Sequence, residues 1–195
     1  EIPKRDWSSD VCSSDLFYKG RLVELTPMDI EKDLEVWKNW NRNSHYQRLL
    51  DDLPANQYST SMIKDWFEKE DTENSLFMIR TLEDHKTIGF VELVGYDWIA
   101  HSAWVGIGIG DSDYWGKGYG TDAMNIALKF AFLEQNLHRV NLGVFRYNER
   151  AVRSYEKSGF KYEGAERDAV YREDQYHDCL LMGVLQSEWR ALQEV

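Results

Sequence analysis

The residues with the clearest chemical potential in this chain are three glycines. Gly116, Gly118 and Gly120 alternate with Lys117 and Tyr119, so the backbone there can take angles closed to other residues and leave several N–H groups unshielded. From Thr121 the apolar residues Met124, Ile126, Ala127, Leu128, Phe130 and Ala131 follow helical spacing. That sets the glycines at a helix N-terminus, where loop amides and the helix dipole together favour phosphate. Ahead of them Val105, Ile107 and Ile109 alternate with Gly106, Gly108 and Gly110, a strand whose glycine side lets another group approach the backbone closely.

Spacing separates the candidate phosphate ligands. A nucleoside-triphosphate loop requires G-x-x-x-x-G-K-[ST], whereas Gly110 and Gly116 enclose five residues and Lys117 is followed by Gly118. A dinucleotide fingerprint is formally present in Gly118, Gly120 and Ala123. It should follow a tight strand-to-helix turn and precede an acidic residue about 20 positions on; here the connection is long and the next strand ends in Arg146. A purely structural glycine-rich turn stands as the alternative. His45, His85, His101, His138 and His177 show no ligand spacing, and Asp111 with Asp113 lacks the other oxygen ligands of a calcium loop, so no metal is expected. Cys12 and Cys179 are too few and too far apart for a disulfide framework or a zinc site.

These residues must be positioned by the elements around them. RLVELT at Arg21–Thr26 alternates as a first strand, and Thr26, Pro27 and Asp29 read as the cap, first-turn proline and acid of a helix continuing through Ile30, Leu34 and Trp37. Asn41, Asn43 and Ser44 break that pattern before an irregular stretch, His45–Tyr58. A second helix over Ser61–Glu70 offers Met62, Ile63, Trp66 and Phe67 as a core face. Ser75–Leu82 and Thr87–Val94 form a hairpin, and a third strand starts near Ser102. After the glycine loop and its helix, Arg139–Phe145 reads as a buried strand in parallel pairing. A helix capped by Asn148 and stopped at Gly159 follows, then strands Lys161–Gly164 and Tyr176–Leu185. Residues 1–16, with repeated Ser-Ser-Asp and no periodicity, read as a disordered tail; they also resemble translated read-through of a sequencing adapter, so an artefact is the other reading. Residues 17–195 are expected to form a single domain.

Composition narrows the partners. A hydrophobic content of 43% is that of a globular protein, and no apolar run approaches the roughly 18 residues of a membrane-spanning helix. Twenty-three basic against 34 acidic side chains give a net charge of −11, which argues against nucleic acid and weakly favours a cationic substrate. The acidic run Glu68–Glu73 reads as a solvated helix end, with an acidic rim for a basic acceptor as the alternative. No secretory signal is visible, so the cytoplasm is the expected compartment.

The window Trp115 to Gly120, between a strand and a helix, resembles the Gln/Arg-x-x-Gly-x-Gly/Ala coenzyme loop of the GNAT acetyltransferases, with Trp115 where that family usually has Gln or Arg. Phe145–Phe160, with Asn148, Ala151, Tyr155, Glu156, Lys157 and Gly159, is similar to the family's second signature, and the element order agrees from about Leu22 to Trp189. The branch that includes ribosomal-protein N-terminal and spermidine acetyltransferases is the most similar. The resemblance implies an α/β (α+β) GNAT fold: one mixed central sheet of about seven strands, flanked by helices and splayed at the acetyl-CoA site. It implies acetyl-CoA as cosubstrate, with the pantetheine arm beside Ile107, Gly108 and Ile109. The pyrophosphate would sit on the loop of Trp115, Gly116, Lys117, Gly118, Tyr119, Gly120 and Thr121, Asn148 near the pantetheine amides, and His45–Tyr58 would form a wall of the acceptor cleft, with an ordinary surface loop as the other reading. Tyr155 is implied as general acid, with core packing as its other reading, and a plain helix cap is the other reading of Asn148.

Many relatives carry a glutamate in the strand before the glycine loop, near where Trp104 stands. Glu92 is taken as the substitute base, with Asp97 and His101 behind it and a water-mediated route open. A polyamine nitrogen with pKa near 10.4 costs about 4 to 5 kcal/mol to deprotonate at pH 7, and an α-amine near 7.8 costs about 1. The expected acceptor is therefore a protein or peptide N-terminal α-amine, with a polyamine or small-metabolite amine as the alternative. A non-catalytic acyl-CoA-binding module is the alternative of another class. No membrane partner is expected, and homodimers are common in such a family.

Overall fold

In a computed structural model of the chain, residues 17–68 and 74–193 are described. The tail read at residues 1–16 lies outside them, as do residues 69–73 of the acidic run. The elements are β1 (Val23–Thr26), α1 (Ile30–Trp40), α2 (Ser44–Leu50), α3 (Thr60–Glu68), β2 (Ser75–Thr81), β3 (Thr87–Asp97), β4 (Ser102–Ile109), α4 (Tyr119–Leu133), β5 (Arg139–Phe145), α5 (Glu149–Lys157), β6 (Lys161–Arg172), β7 (Gln175–Leu185) and α6 (Gln186–Gln193). The strands form one mixed sheet in the order β1-β2-β3-β4-β5-β7-β6. The seven expected strands are present, and two helices, α2 and α6, were not anticipated.

The core lies between the sheet and α4. Met124, Leu128, Ala131 and Phe132 are buried there against Val91, Leu93, Val105, Val140 and Leu142, which is why α4 reads as apolar on more than one face. α4 also anchors the start of β1: the Asp122 carboxylate accepts from the backbone N–H groups of Arg21, Leu22 and Val23 at 3.1, 2.8 and 3.1 Å.

The start of α1 differs from its expected form. Asp29, not Thr26, is the cap, its carboxylate accepting from the N–H groups of Glu31 and Lys32. Thr26 instead ends β1, because its hydroxyl accepts from Arg80 Nε at 2.8 Å. Arg80 also pairs with the fully buried Asp33 at 2.9 Å, and Asp33 accepts from Thr87 Oγ1 at 2.8 Å and Asp29 N at 2.9 Å. One buried carboxylate thus ties α1 to β2 and β3. β4 pairs with β3 in unbroken register from Trp104↔Val94 to Ile109↔Gly89, and the register shift lies between Val94 and Asp97 of β3, where Gly95 takes φ +59°. β6 runs to Arg172, past its expected end at Gly164, with two register shifts.

Removing one partner of a buried ion pair leaves the other uncompensated, at a cost of about 3–5 kcal/mol. Asp33→Ala is expected to lower the urea unfolding free energy by that amount; unchanged stability would mean that water replaces the carboxylate at Arg80.

Candidate functional site

The sheet opens where β4 meets β5. The two pair in parallel only at Ser102, Ala103 and Trp104 against Arg139, Val140 and Asn141, and Asn141 Nδ2 donates to Ala103 O at 3.3 Å at the apex. Beyond that point they diverge, while β4 stays paired with β3 and β5 with β7. Val105 to Ile109 and Gly143 to Phe145 then line a cleft of about 1240 Å³. Backbone groups on the facing edges are left for a ligand, since buried N–H and C=O groups are normally paired.

The two faces of β4 differ. Ile107 and Ile109 pack toward the core beneath α4. On the other face Gly106, Gly108 and Gly110 form a track on which three side chains lie. A Cβ at Gly106 would stand 2.9 Å from Glu92 Oε1, one at Gly108 would collide with Tyr46 Oη, and one at Gly110 would collide with the Trp40 indole. Gly108 and Gly110 are therefore required by a close approach, whereas at Gly106 the flexible Glu92 side chain could give way. The group anticipated on the glycine side of this strand is in fact a carboxylate, a phenol and an indole.

The glycine loop follows. Gly116 and Gly118 take φ of +73° and +93°, and Gly118 caps α4 without a side-chain hydrogen bond. The first amides of α4 are thus left open to an anion. Gly116, Gly118, Gly120 and Thr121 line the cleft, and Thr121 Oγ1 lies 2.8 Å from Ser154 Oγ on α5. Trp115, Lys117 and Tyr119 do not line it. Lys117 is exposed, Tyr119 packs edge-on to Tyr114 at 4.9 Å, and Trp115 folds back so that Nε1 donates to Ile109 O at 2.6 Å. The Arg150 guanidinium lies 3.8 Å from the Trp115 ring centre, a cation–π contact that fixes an arginine beside the loop. Burial lowers the Arg150 pKa, with Tyr155 acting in the opposite direction.

Asn148, Arg150, Arg153, Tyr155 and Lys157 of α5 line the same cleft. Asn148 also caps α5, accepting from Ala151 N at 3.3 Å. Burial pushes the Tyr155 phenol up to about 12, with Arg150 pulling it back; it holds its proton at neutral pH. Glu92 lines the cleft as well, whereas Asp97 caps the hairpin turn by accepting from Ile99 N and Ala100 N, and His101 takes a left-handed turn conformation. Trp104 is 44% exposed at the start of β4 and does not line the cleft.

Some lining residues fall in the stretch His45–Tyr58 that the resemblance marks as an acceptor-site wall, and others were missed by sequence reasoning. The stretch His45–Tyr58 contains α2, capped by Asn43, which accepts from Tyr46 N at 3.1 Å. Asn43 followed by Tyr46, Leu49 and Leu50 at helical spacing was the available signal. From α2 and the loop after it, Tyr46, Leu50, Asp51, Asp52 and Leu53 reach the cleft. Trp66 and Phe67 of α3 line it too, and of the four residues expected in the core, Ile63 is fully buried while Met62 is exposed. Burial raises the Asp51 carboxyl, helped by the nearby Asp52 charge and opposed by the Leu53 N–H and Arg172. Burial likewise raises the Tyr46 phenol, the charges of Asp51 and Glu92 adding to it, and raises the Cys179 thiol, with Glu166 adding to it. The cleft is therefore lined by basic side chains of α5 and by a group of carboxylates, Asp51 and Glu92 near Tyr46 and Glu166 and Asp52 near Cys179.

A family model described as an acetyltransferase (GNAT) domain matches residues 22–161. The spermidine N(1)-acetyltransferase of Vibrio cholerae is 29% identical over 169 residues, 85% of this chain and 95% of that protein. A putative ribosomal N-acetyltransferase of Bacillus subtilis is 30% identical over 169 residues, covering 86% and 91%. The crystal structure of the Vibrio cholerae spermidine N-acetyltransferase in complex with CoA and spermine superposes with a TM-score of 0.77 at 28% identity, covering 86% of this chain and 98% of that one.

Overpacking a close contact costs about 1–3 kcal/mol. Gly108→Ala is expected to destabilise the protein by that amount in urea, and adding Tyr46→Phe to recover part of it; a Gly108→Ala protein as stable as the parent would show that α2 does not press on β4.

Proposed function

We propose, from the premise that this chain belongs to the GNAT acetyltransferase family and is an acetyl-CoA-dependent N-acetyltransferase, that its acceptor is a primary amine of a linear polyamine of the spermidine type. The observation that carries this reading is the group of carboxylates lining the cleft, Asp51, Asp52, Glu92 and Glu166, each within electrostatic reach of Tyr46 or Cys179. A linear polyamine can present one amine for reaction while its other ammonium groups stay paired with Asp51 and Asp52. A peptide α-amine brings one charge and uses fewer of these carboxylates. Sequence reasoning led with the α-amine; the relatives named as spermidine acetyltransferases and the acidic lining support the polyamine better. The α-amine is the second reading, supported by the ribosomal N-acetyltransferase relative.

Acetyl-CoA supplies an activated acyl group as a thioester. The residues present fit it: open α4 amides behind two left-handed glycines, a basic α5 face and the unpaired edges of β4 and β5. In this reading the amides of Gly116 to Thr121 hold the pyrophosphate, with Arg150 beside them, and β4 at Ile107 to Ile109 pairs with the pantetheine arm. Asn148 caps α5 and faces the arm. Glu92 takes a proton from the acceptor ammonium, a role that a polyamine nitrogen with its high pKa demands. As the nitrogen–carbonyl bond forms and the carbon–sulfur bond breaks, Tyr155, protonated at neutral pH, gives its Oη proton to the departing sulfur, and the second proton leaving the nitrogen restores it. Fixing amine and thioester in this geometry supplies much of the rate, about 7–11 kcal/mol in well-aligned systems.

Assays with acetyl-CoA and either spermidine or a short peptide test the acceptor. The kcat/KM for spermidine is expected to exceed that for the peptide by about tenfold for each ion pair gained, a tenfold step being about 1.4 kcal/mol. The reverse preference would overturn the polyamine reading. Because burial raises the Asp51 pKa above its ordinary 3.8, the carboxylate loses its charge as pH falls, earlier than an exposed aspartate does. The KM for polyamine should therefore rise with falling pH from above the usual carboxylate range, and Asp51→Asn should flatten that limb. Tyr155→Phe should lower kcat by about 10² or more at unchanged coenzyme affinity; a shift in affinity alone would assign Tyr155 to packing.

A further inference from the structure

We propose that Tyr46 binds the acyl carbonyl oxygen of the donor through its hydroxyl, so that the protein distinguishes acetyl-CoA from free coenzyme A. Tyr46 is 5% exposed. Its ring packs with Trp40, Met78 and Phe90, and among the described residues its buried Oη has no hydrogen-bond partner. A hydroxyl left in that state is costly to the free protein, and such groups are ordinarily paired. The oxygen is aimed over Gly108, beside Leu50 and Phe90, which with Tyr46 line the cleft.

Its place along the cleft identifies the missing partner. Along the glycine side of β4, Tyr46 Oη lies at Gly108, between the Trp40 indole at Gly110 near the glycine loop and the Glu92 carboxylate at Gly106. That is where an acyl group delivered from the side of the glycine loop meets an amine held at Glu92. Burial and two neighbouring carboxylates hold the phenol protonated, so it serves as a neutral donor and not as a base. A carbonyl oxygen is the acceptor suited to it, and a hydrogen bond from a group fixed in advance, in a site with little water, stabilises charge gathering on that oxygen. The inference rests on the donor arm running beside Ile107 to Ile109; it does not depend on which amine is the acceptor.

Calorimetric titration of the parent and Tyr46→Phe proteins with acetyl-CoA and, separately, with coenzyme A tests it without turnover. The parent is expected to bind acetyl-CoA more tightly than coenzyme A, and Tyr46→Phe to lose about tenfold of that preference, the contribution of one net hydrogen bond. Coenzyme A affinity and the urea midpoint of the ligand-free variant should be unchanged or higher, because the substitution removes an unpaired buried hydroxyl. An unchanged ratio of the two affinities, or an equal loss for both ligands, overturns the proposal. A rise confined to the amine KM also overturns it, by assigning the hydroxyl to the acceptor. Coenzyme A binding in both proteins separates failure of this contact from failure of the donor-site assignment, in which neither ligand would bind.

Discussion

Gly108 on β4 and Gly110 just past its end must lack a side chain, and the organisation of the cleft depends on that restriction. With Gly106, Gly108 and Gly110 in place, the Trp40 indole and the Tyr46 phenol reach the strand backbone and the Glu92 carboxylate lies across it. α1 and α2 can then sit closer to the sheet than ordinary side chains would permit. That proximity brings the end of α2, and with it Asp51 and Asp52, to the mouth of the β4–β5 opening. The opposite face keeps Val105, Ile107 and Ile109 for the core beneath α4. One strand therefore separates the core beneath α4 from a second, smaller aromatic cluster of Trp40, Tyr46 and Phe90 that borders the cleft.

The charge arrangement resolves an apparent conflict in the composition. A chain with net charge −11 is poorly suited to hold a polyphosphate by long-range attraction. The solution is local: backbone amides at the start of α4 carry no titratable charge, and Arg150 is held beside the loop by the Trp115 ring. The acidic excess is then available to the acceptor. Trp115, which departs from the polar residue usual at its position in the family, also ties the end of β4 to the loop through Ile109 O.

How much was legible in the sequence follows from which interactions are local. The strand Arg139–Phe145, the cap at Asn148 and the glycine loop depend on near neighbours and read directly; the first two have the expected bounds or role. The cap of α1 was misplaced because Thr26 is claimed by Arg80, 54 residues away. The length of β6 was underread because its pairing runs through two register shifts that periodicity does not reveal. α2 was taken as irregular, although its few residues carry helical spacing, because seven residues give too little pattern against the asparagines flanking them. The glycine loop and, by resemblance, the stretch His45–Tyr58 were therefore marked in the sequence, whereas the contributions of α3 and the β6–β7 hairpin to the lining were not.

That hairpin has a consequence in time as well as space. Arg172, at the end of β6, donates to Leu53 O at 2.8 Å and Asp51 O at 3.4 Å, across 119 and 121 residues, and Arg48 pairs with Glu173 at 3.0 Å. β6 reaches the sheet through β7, which pairs with β5, and both strands follow α2 in the chain by more than a hundred residues. A growing chain therefore possesses its glycine loop and α5 well before the loop bearing Asp51 is pinned in place. One wall of the cleft is thus held in place by strands made long after it, and a chain without them lacks those contacts.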